Sequence, residues 1–410
     1  MNKYQPHGYI ILRVEESDAP AVIELFKLNY PRGYPDLYDE QRIRYDIYSG
    51  NVIWLKAVAI EEQEKVLAAG AITLDYGDYN DQLGLIGKLV TRPGQASSGI
   101  VHTLGSDIVS ALVSEAEDNV ECVIGFARTF HRVSQKYVED AGLKAVGLLP
   151  HYKIIDERRE NFVLYTKLCG QGSQLRSEKL PQVIPEIAPL AQHALSAMEL
   201  PTALGIVNDC PSYHDEFNGN LQLVDRHSLT QLRQIDRGRL SDPIMFDNVS
   251  LDYGMPVLAR KEIQYLMAVD NQQLLGAIGY KVDQVNQTFK ITELVFNRTE
   301  VVNYLCAKAL DKAKQEEAKV IEVDLSAYDA LIQQTFLNYG FHPVAYIPAM
   351  VVHNTYRLDI IKMIRLEVLY DSRKTKLTEK AREVVSLVEG RLNSAQIINL
   401  GETPQNIEQL

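Results

Sequence analysis

The chain has 410 residues and a formal net charge of −12. This length is too great for one ordinary domain and fits two domains of about 150 to 200 residues, each large enough to bury a core. Because the basic residues are scattered through an acidic chain, the composition argues against a duplex-scale phosphate-binding surface, and we expect no nucleic-acid partner.

Membrane and metal signals are also missing from the sequence. No apolar run approaches the roughly 20 residues that cross a bilayer, and the N-terminal stretch lacks a signal-peptide core. We therefore expect a cytoplasmic protein without a membrane span. The four cysteines, Cys122, Cys169, Cys210 and Cys306, lie far apart. They have no zinc-ligand spacing, so we expect free thiols and no metal.

The first predicted elements are a strand from Tyr9 to Val14, a helix capped by Ser17 or Asp18, and a hairpin formed by VIWLKAVAI and VLAAGAITLDYG. A turn-rich stretch before the hairpin is crowded with tyrosines. Such a composition is common where aromatic rings hold a substrate, but the same tyrosines could simply pack against the sheet. They are Tyr30, Tyr34, Tyr38, Tyr45 and Tyr48.

A strand–loop–helix–strand unit follows. The strand GLIGKLVT leads into the loop RPGQASSG, an amphipathic helix begins near Ile100, and ECVIGFAR has the short apolar character of a buried parallel strand. The first turn of a helix leaves backbone N–H groups unpaired at the positive end of its dipole, and small loop residues let a phosphate approach. The loop therefore predicts an anion site, with Gly94, Ser97, Ser98 and Gly99 as its small residues.

This unit, followed by HRVSQKYVEDAGL and GLLPHY, resembles the acyl-CoA-binding core of the GCN5-related N-acetyltransferases (GNATs). In that family an Arg/Gln-x-x-Gly-x-Gly/Ala loop takes the pyrophosphate of coenzyme A. The resemblance implies an α/β fold, a twisted and mostly antiparallel sheet with a central parallel βαβ unit flanked by helices. It also implies an N-acyltransferase that moves an acetyl or longer acyl group from coenzyme A to an amine of a small molecule or peptide.

The same resemblance implies which residues bind the co-substrate, acetyl-CoA or a longer acyl-CoA. Leu89, Val90 and Thr91 would contact the pantetheine, and the loop and helix start would hold the pyrophosphate. Within the loop, Gly94 stands where the family has Arg or Gln and Ser97 where it has the first Gly, whereas Gly99 matches. The remaining implied cofactor-binding residues are Gly94, Gln95, Ala96, Ser97, Ser98, Gly99, Ile100, Val101 and Ser134.

Acyl transfer needs an acid for the leaving thiolate and a base for the amine. Many relatives use a tyrosine four residues before the glycine of the Gly-Phe turn. Counting back from Gly142 reaches Val138, and the nearest tyrosine is Tyr137, about 100° away on a helix. Tyr137 can serve as the acid only if the helix is rotated or bulged. His131 could act as a base through water, or be a structural histidine.

The second half of the sequence repeats the scheme in weaker form. We predict a GNAT domain over residues 1–174, a degenerate GNAT-like domain over 175–368 and a helical tail over 369–410. Where the second copy should carry a phosphate loop, it reads FNRTEVVNYL, with no glycine and with Glu300 where an anion would sit. This copy should bind coenzyme A poorly, and it could complete the acceptor site or a homodimer. The alternative is a non-catalytic acyl-CoA-binding or regulatory protein.

Overall fold

The structure, a computed structural model, describes residues 8–30, 39–61, 65–74, 81–93, 100–155, 157–214, 217, 220–224, 245–246, 263–270, 273–353, 355–370 and 375–400. The side chains of residues 100–102, 220–224, 245–246, 273 and 393–400 are outside this description. Among the helices in these ranges, none combines the length and the apolar character needed to cross a bilayer.

The first half of the chain has the predicted elements in the predicted order and adds one helix, Glu40–Ser49, in the stretch that was expected to be rich in turns. Its second helix is capped by the Asp39 side chain, which accepts hydrogen bonds from Gln41 N and Arg42 N, and it ends at Gly50 with a left-handed φ of 70°. The elements are β1 (Tyr9–Arg13), α1 (Ala19–Asn29), α2 (Glu40–Ser49), β2 (Val52–Ala59), β3 (Val66–Leu74), β4 (Leu83–Thr91), α3 (Ile100–Ala116), β5 (Cys122–Arg128), α4 (Val133–Asp140), β6 (Lys144–Ile155) and β7 (Arg158–Leu168).

The second half contains a corresponding series of elements. They are β8 (Gln182–Val183), α5 (Ala188–Ala197), β9 (Gly205–Ile206), β10 (Asn220–Val224), β11 (Met245–Phe246), β12 (Gln264–Asp270), β13 (Gln273–Asp283), β14 (Thr288–Phe296), α6 (Glu300–Gln315), β15 (Val320–Ser326), α7 (Ala330–Asn338), β16 (His342–His353), β17 (Tyr356–Leu366) and α8 (Glu379–Leu400).

One 15-stranded sheet runs through both halves in the order β1-β2-β3-β4-β5-β7-β6-β16-β17-β15-β14-β13-β12-β10, with β11 added beside β15. The order of the first half is thus mirrored in the second. The α/β fold class is confirmed, with β4–β5 and β14–β15 as the parallel pairs and antiparallel pairing elsewhere in this sheet. The domain boundary near residue 174 stays a prediction.

The halves join where Gly147 of β6 pairs with Ala345 of β16. A Cβ on Gly147 would lie 2.2 Å from the Ala345 Cβ, so this close approach requires glycine. Each half also reaches across to the other: Ile154 N donates to Asn286 Oδ1 at 2.9 Å, and Val352 N donates to Asp81 Oδ1 at 2.7 Å. These reciprocal contacts bring residues of the second half next to the first.

The parallel strands β4 and β5 separate part-way along their length. They pair from Leu83–Cys122 to Ile86–Gly125, and both strands then continue without pairing to each other. A bulge on β4 marks this point, because the register with β3 jumps between Ala69 and Ala71 and Lys88 has a φ of 52°. A wedge therefore opens between two neighbouring strands of the sheet.

Candidate active site

A cavity of about 410 Å³ lies at this wedge. Its walls include Leu89, Val90 and Thr91 of the unpaired part of β4, together with Phe126 and Arg128 at the end of β5. Apolar strand residues and a few charged side chains thus line one cavity. A cavity of this volume with a small number of polar groups is typical of a small-molecule site.

The structure brings together six of the residues singled out from the sequence. Leu89, Val90 and Thr91 line the cavity from β4, and His131, Ser134 and Tyr137 line it from the other side. The loop Gly94–Gly99 lies outside the described residues. The helix predicted near Ile100 begins at Ile100, but the side chains of Ile100 and Val101 are likewise outside the description.

Tyr137 lines the cavity despite its position one residue before the place that the family pattern favours. Its ring packs over Gly105 of α3, where an added Cβ would fall 2.2 Å from the ring carbon Cζ. Only glycine at position 105 leaves room for this ring. Burial raises the pKa of the Tyr137 hydroxyl to about 12, so the group keeps its proton at neutral pH and can donate it.

His131 lies in the turn between β5 and α4. Burial, and then the nearby positive charge of Arg128, lower the pKa of the His131 imidazole, so the ring is neutral at pH 7. His131 Nδ1 and Ser134 Oγ are buried and have no hydrogen-bond partner among the residues that the structure describes. Such atoms carry an uncompensated desolvation cost that a ligand or water can relieve.

The turn that carries His131 is fixed by the C-terminal segment of the chain. Gln135 Nε2 donates to Arg128 O at 3.1 Å and to Lys376 O at 2.8 Å, and Gln135 Oε1 accepts from Thr378 N at 2.9 Å. Lys376 N in turn donates to Thr129 O at 2.7 Å. The tail before α8 is therefore part of the frame of the site.

Two cations of the first half that line the cavity are held by carboxylates. Arg128 Nε donates to Glu160 Oε2 at 2.6 Å, and Lys88 Nζ donates to the buried Asp46 at 2.8 Å. These pairs fix the direction of the two side chains. Of the tyrosine-rich stretch, Tyr30 lines the cavity, whereas Tyr45 and Tyr48 are exposed, and Tyr34 and Tyr38 lie outside the described residues.

The second half contributes charged residues that sequence reasoning missed. Lys290 of β14, Glu322 of β15 and Lys362 of β17 line the same cavity and are buried. A signal for them existed, because Glu322 and Asp324 occupy alternate positions of an otherwise apolar strand and must share one face. Their place beside the wedge depends on how the halves join, which the sequence did not reveal.

The corresponding wedge of the second half holds a strand of the chain itself. β14 and β15 also separate after a short parallel pairing, from Thr288–Val320 to Ile291–Val323. There, however, β11 pairs with the free end of β15, with Met245 opposite Leu325 and Phe246 opposite Asp324. A strand of the chain itself thus lies against β15 where, in the first half, the cavity lies against β5.

Comparison with known proteins gives a likeness to acetyltransferases of known structure. Ribosomal-protein-S5-alanine acetyltransferase from Vibrio fischeri is 13% identical, with 40% of this chain and 96% of that chain covered and a TM-score of 0.34. A GNAT superfamily phosphinothricin acetyltransferase from Sinorhizobium meliloti is 15% identical, with 42% and 95% covered and a TM-score of 0.35. An acetyltransferase of the GNAT family from Streptococcus pneumoniae is 17% identical, with 40% and 99% covered and a TM-score of 0.34.

The chain resembles GNAT acetyltransferases. No family model and no curated protein matches it. The likeness agrees with the resemblance found in the sequence.

Proposed function

We propose that the protein transfers an acyl group from an acyl-CoA to an amine, at the cavity between β4 and β5. The observation that carries the proposal is the wedge itself: two parallel strands that separate beside a bulge, with a protonated tyrosine and a neutral histidine on the opposite wall. Backbone groups of Leu89, Val90 and Thr91, freed from pairing with β5, suit the amides of a pantetheine arm.

The chemistry divides between two of the cavity residues. The amine nitrogen forms a bond to the acyl carbon, the carbon–sulfur bond breaks, and the thiolate takes a proton from the Tyr137 hydroxyl. His131, neutral at pH 7, accepts the amine proton through a water molecule. Ser134 Oγ, buried at the cavity wall, is available to hydrogen-bond the thioester or the pantetheine.

The test of the proposal is binding of acetyl-CoA or coenzyme A, measured by calorimetry. We expect one molecule per chain, for two reasons. First, β11 lies beside β15 in the second wedge. Second, the N-terminal end of α6, which would otherwise attract an anion, begins with Glu300, whose negative charge repels one. Gly99→Glu should abolish binding, since a carboxylate would replace phosphate at the start of α3.

Gly390→Glu provides a matched control for this substitution. Gly390 lies on α8 with nothing within 4 Å of an added Cβ, so the same change there should leave the dissociation constant unaltered. Two molecules bound per chain, or unchanged binding by the Gly99 variant, would contradict the assignment of the site.

The pH dependence provides a second test. Because the pKa of His131 lies below the usual value of 6.5, the neutral imidazole that accepts a proton persists at pH 6.5 and is lost only as the pH falls further. With kcat/KM divided by the fraction of acceptor amine that is deprotonated at each pH, we expect the corrected value to be level from about pH 7 to 9 and to decline on the acid side below pH 6.5. His131→Gln should remove that decline together with most of the rate, and an acid limb that survives in this variant would exclude His131 as the base.

A further inference from the structure

A buried group of four charges adjoins the cavity in the second half; we call it the charged cluster. Its members are Lys290, Glu322, Asp324 and Lys362. Lys362 Nζ lies 2.7 Å from Asp324 Oδ1 and 3.5 Å from Glu322 Oε2, and Lys290 Nζ lies 3.6 Å from Asp324 Oδ2. All four side chains are buried. Burial opposes the charged form of Lys362, but Asp324 and Glu322 outweigh it and raise the pKa of the Lys362 ammonium, so it stays charged.

The mirrored halves provide an internal comparison for these positions. The parallel pair Leu83–Cys122 of the first half corresponds to Thr288–Val320 of the second, and the pairings of β5 with β7 and of β15 with β17 extend the correspondence. At the positions equivalent to the charged cluster the first half has apolar residues. In the order Lys290, Glu322, Asp324, Lys362 these are Leu85, Ile124, Phe126 and Leu164.

The fold therefore does not require charge at these four places. Removing a carboxylate or an ammonium group from water is costly, and well-packed apolar side chains of similar volume are often as stable as a buried ion pair or more so. The first half shows that apolar residues satisfy the same strand positions. Four buried charges beside a cavity, retained at such a cost, are better explained by recognition of a ligand than by stability.

Three members of the charged cluster line the cavity. Lys290, Lys362 and Glu322 line the cavity, whereas Asp324 is fully buried, does not line it and pairs with both lysines from behind. Lys153 of β6 lines the cavity as well. The charged cluster is neutral as a whole, so Lys153 leaves this end of the cavity with one positive charge in a protein of net charge −12, which favours an anion there.

We propose that the charged cluster binds a carboxylate on the acceptor, so that the acyl acceptor is an amino acid or another amine that carries a carboxylate. Glu322 among the lysines limits the positive charge and favours a singly charged carboxylate over a phosphate dianion. The apolar walls at Ile124 and Phe126 suit an aliphatic or aromatic side chain. This inference rests on the proposed acyl transfer at the same cavity.

The test compares L-phenylalanine with L-phenylalanine amide as acceptors, with acetyl-CoA as donor. We expect kcat/KM at least about 10-fold higher for the acid, because the amide lacks the charge that the lysines bind. Lys290→Met should reduce this preference by about 10-fold without changing the dissociation constant of coenzyme A. Lys308→Met, which removes a lysine from the exposed surface of α6, should leave the preference intact.

A second variant covers the case in which Lys290→Met fails to fold. The double change Lys290→Leu and Glu322→Ile introduces the residues found at the equivalent positions of the first half and keeps the net charge. This variant should fold, bind coenzyme A and lose the preference for the acid.

If no amine consumes the thioester, acyl transfer fails as a function, and calorimetric binding of L-phenylalanine and its amide still tests the charged cluster by itself. Equal use or binding of acid and amide would overturn the proposal. The proposal would also be overturned if Lys290→Met changed the relative kcat/KM for acetyl-CoA and succinyl-CoA but not for L-phenylalanine and its amide, because the charged cluster would then bind the donor.

Discussion

Replacement of Tyr137 by phenylalanine is expected to lower kcat for acyl transfer by about 100-fold or more, since a positioned general acid contributes at least that factor. Tyr137 lines the cavity, and its hydroxyl keeps its proton, with a pKa of about 12, whereas a phenylalanine ring would occupy the same space over Gly105 without a proton to give. Binding of the acyl-CoA should remain, so the loss should fall on kcat and not on KM.

The matched control is Tyr280→Phe. Tyr280 is also buried, and it lies in the second half, outside the residues that line the cavity. Its hydroxyl donates a hydrogen bond to Gln264 Oε1 at 2.8 Å. Its loss should cost about 1 kcal/mol of stability and leave kcat unchanged. Gly105→Ala offers an independent check: its methyl group would displace the Tyr137 ring and should lower kcat while keeping the hydroxyl. A Tyr137→Phe enzyme with the rate of the parent would exclude Tyr137 as the acid.

Tyr137 also shows where sequence reasoning met its limit. Counting from Gly142 placed the tyrosine about 100° from the expected face of its helix. That count assumes a fixed rotation of the helix about its own axis relative to the sheet, and this rotation is decided by packing. In the structure α4 begins at Val133, and the gap left by Gly105 on the neighbouring helix accepts the ring from this angle. The glycine was visible in the sequence, but its contact with a residue 32 positions later was not.

The predictions that succeeded were local. The strand–helix–strand order and the start of α3 at Ile100 follow from apolar periodicity and from loop composition within about 40 residues. The charged cluster could not be placed this way, because its relation to the wedge depends on the junction of Gly147 with Ala345 and on long-range contacts such as Val352 with Asp81. Pairing between distant strands is set by tertiary packing, not by local pattern.

The mirrored halves also allow a prediction about stability, centred on Asp359 of β17. This fully buried carboxylate accepts hydrogen bonds from Arg176 Nε at 2.9 Å, Arg176 Nη2 at 2.6 Å, Tyr346 Oη at 2.6 Å and Ala349 N at 2.9 Å. Its counterpart in the first half is Asn161, whose side-chain oxygen accepts a hydrogen bond from His151 N at 2.8 Å, as Asp359 does from Ala349 N. Ala349 and His151 both have a left-handed φ, 49° and 52°, and each lies in a bulge, where β16 shifts register against β17 and β6 against β7.

Asp359→Ala is therefore expected to lower the free energy of unfolding by about 3 to 5 kcal/mol, because it leaves the Arg176 guanidinium buried without its anion. Asp359→Asn should cost less, since the amide oxygen can still accept from Ala349 N as Asn161 does from His151. The double change Arg176→Met with Asp359→Asn should recover part of the loss by removing the unpaired cation. Urea denaturation measures the free energy of unfolding of all three variants.

Asp311→Ala, at an exposed ion pair with Lys308, is the control and should change the free energy of unfolding by less than about 1 kcal/mol. An Asp359→Ala protein as stable as this control would show that the bulge and the arginine are held by contacts other than this carboxylate.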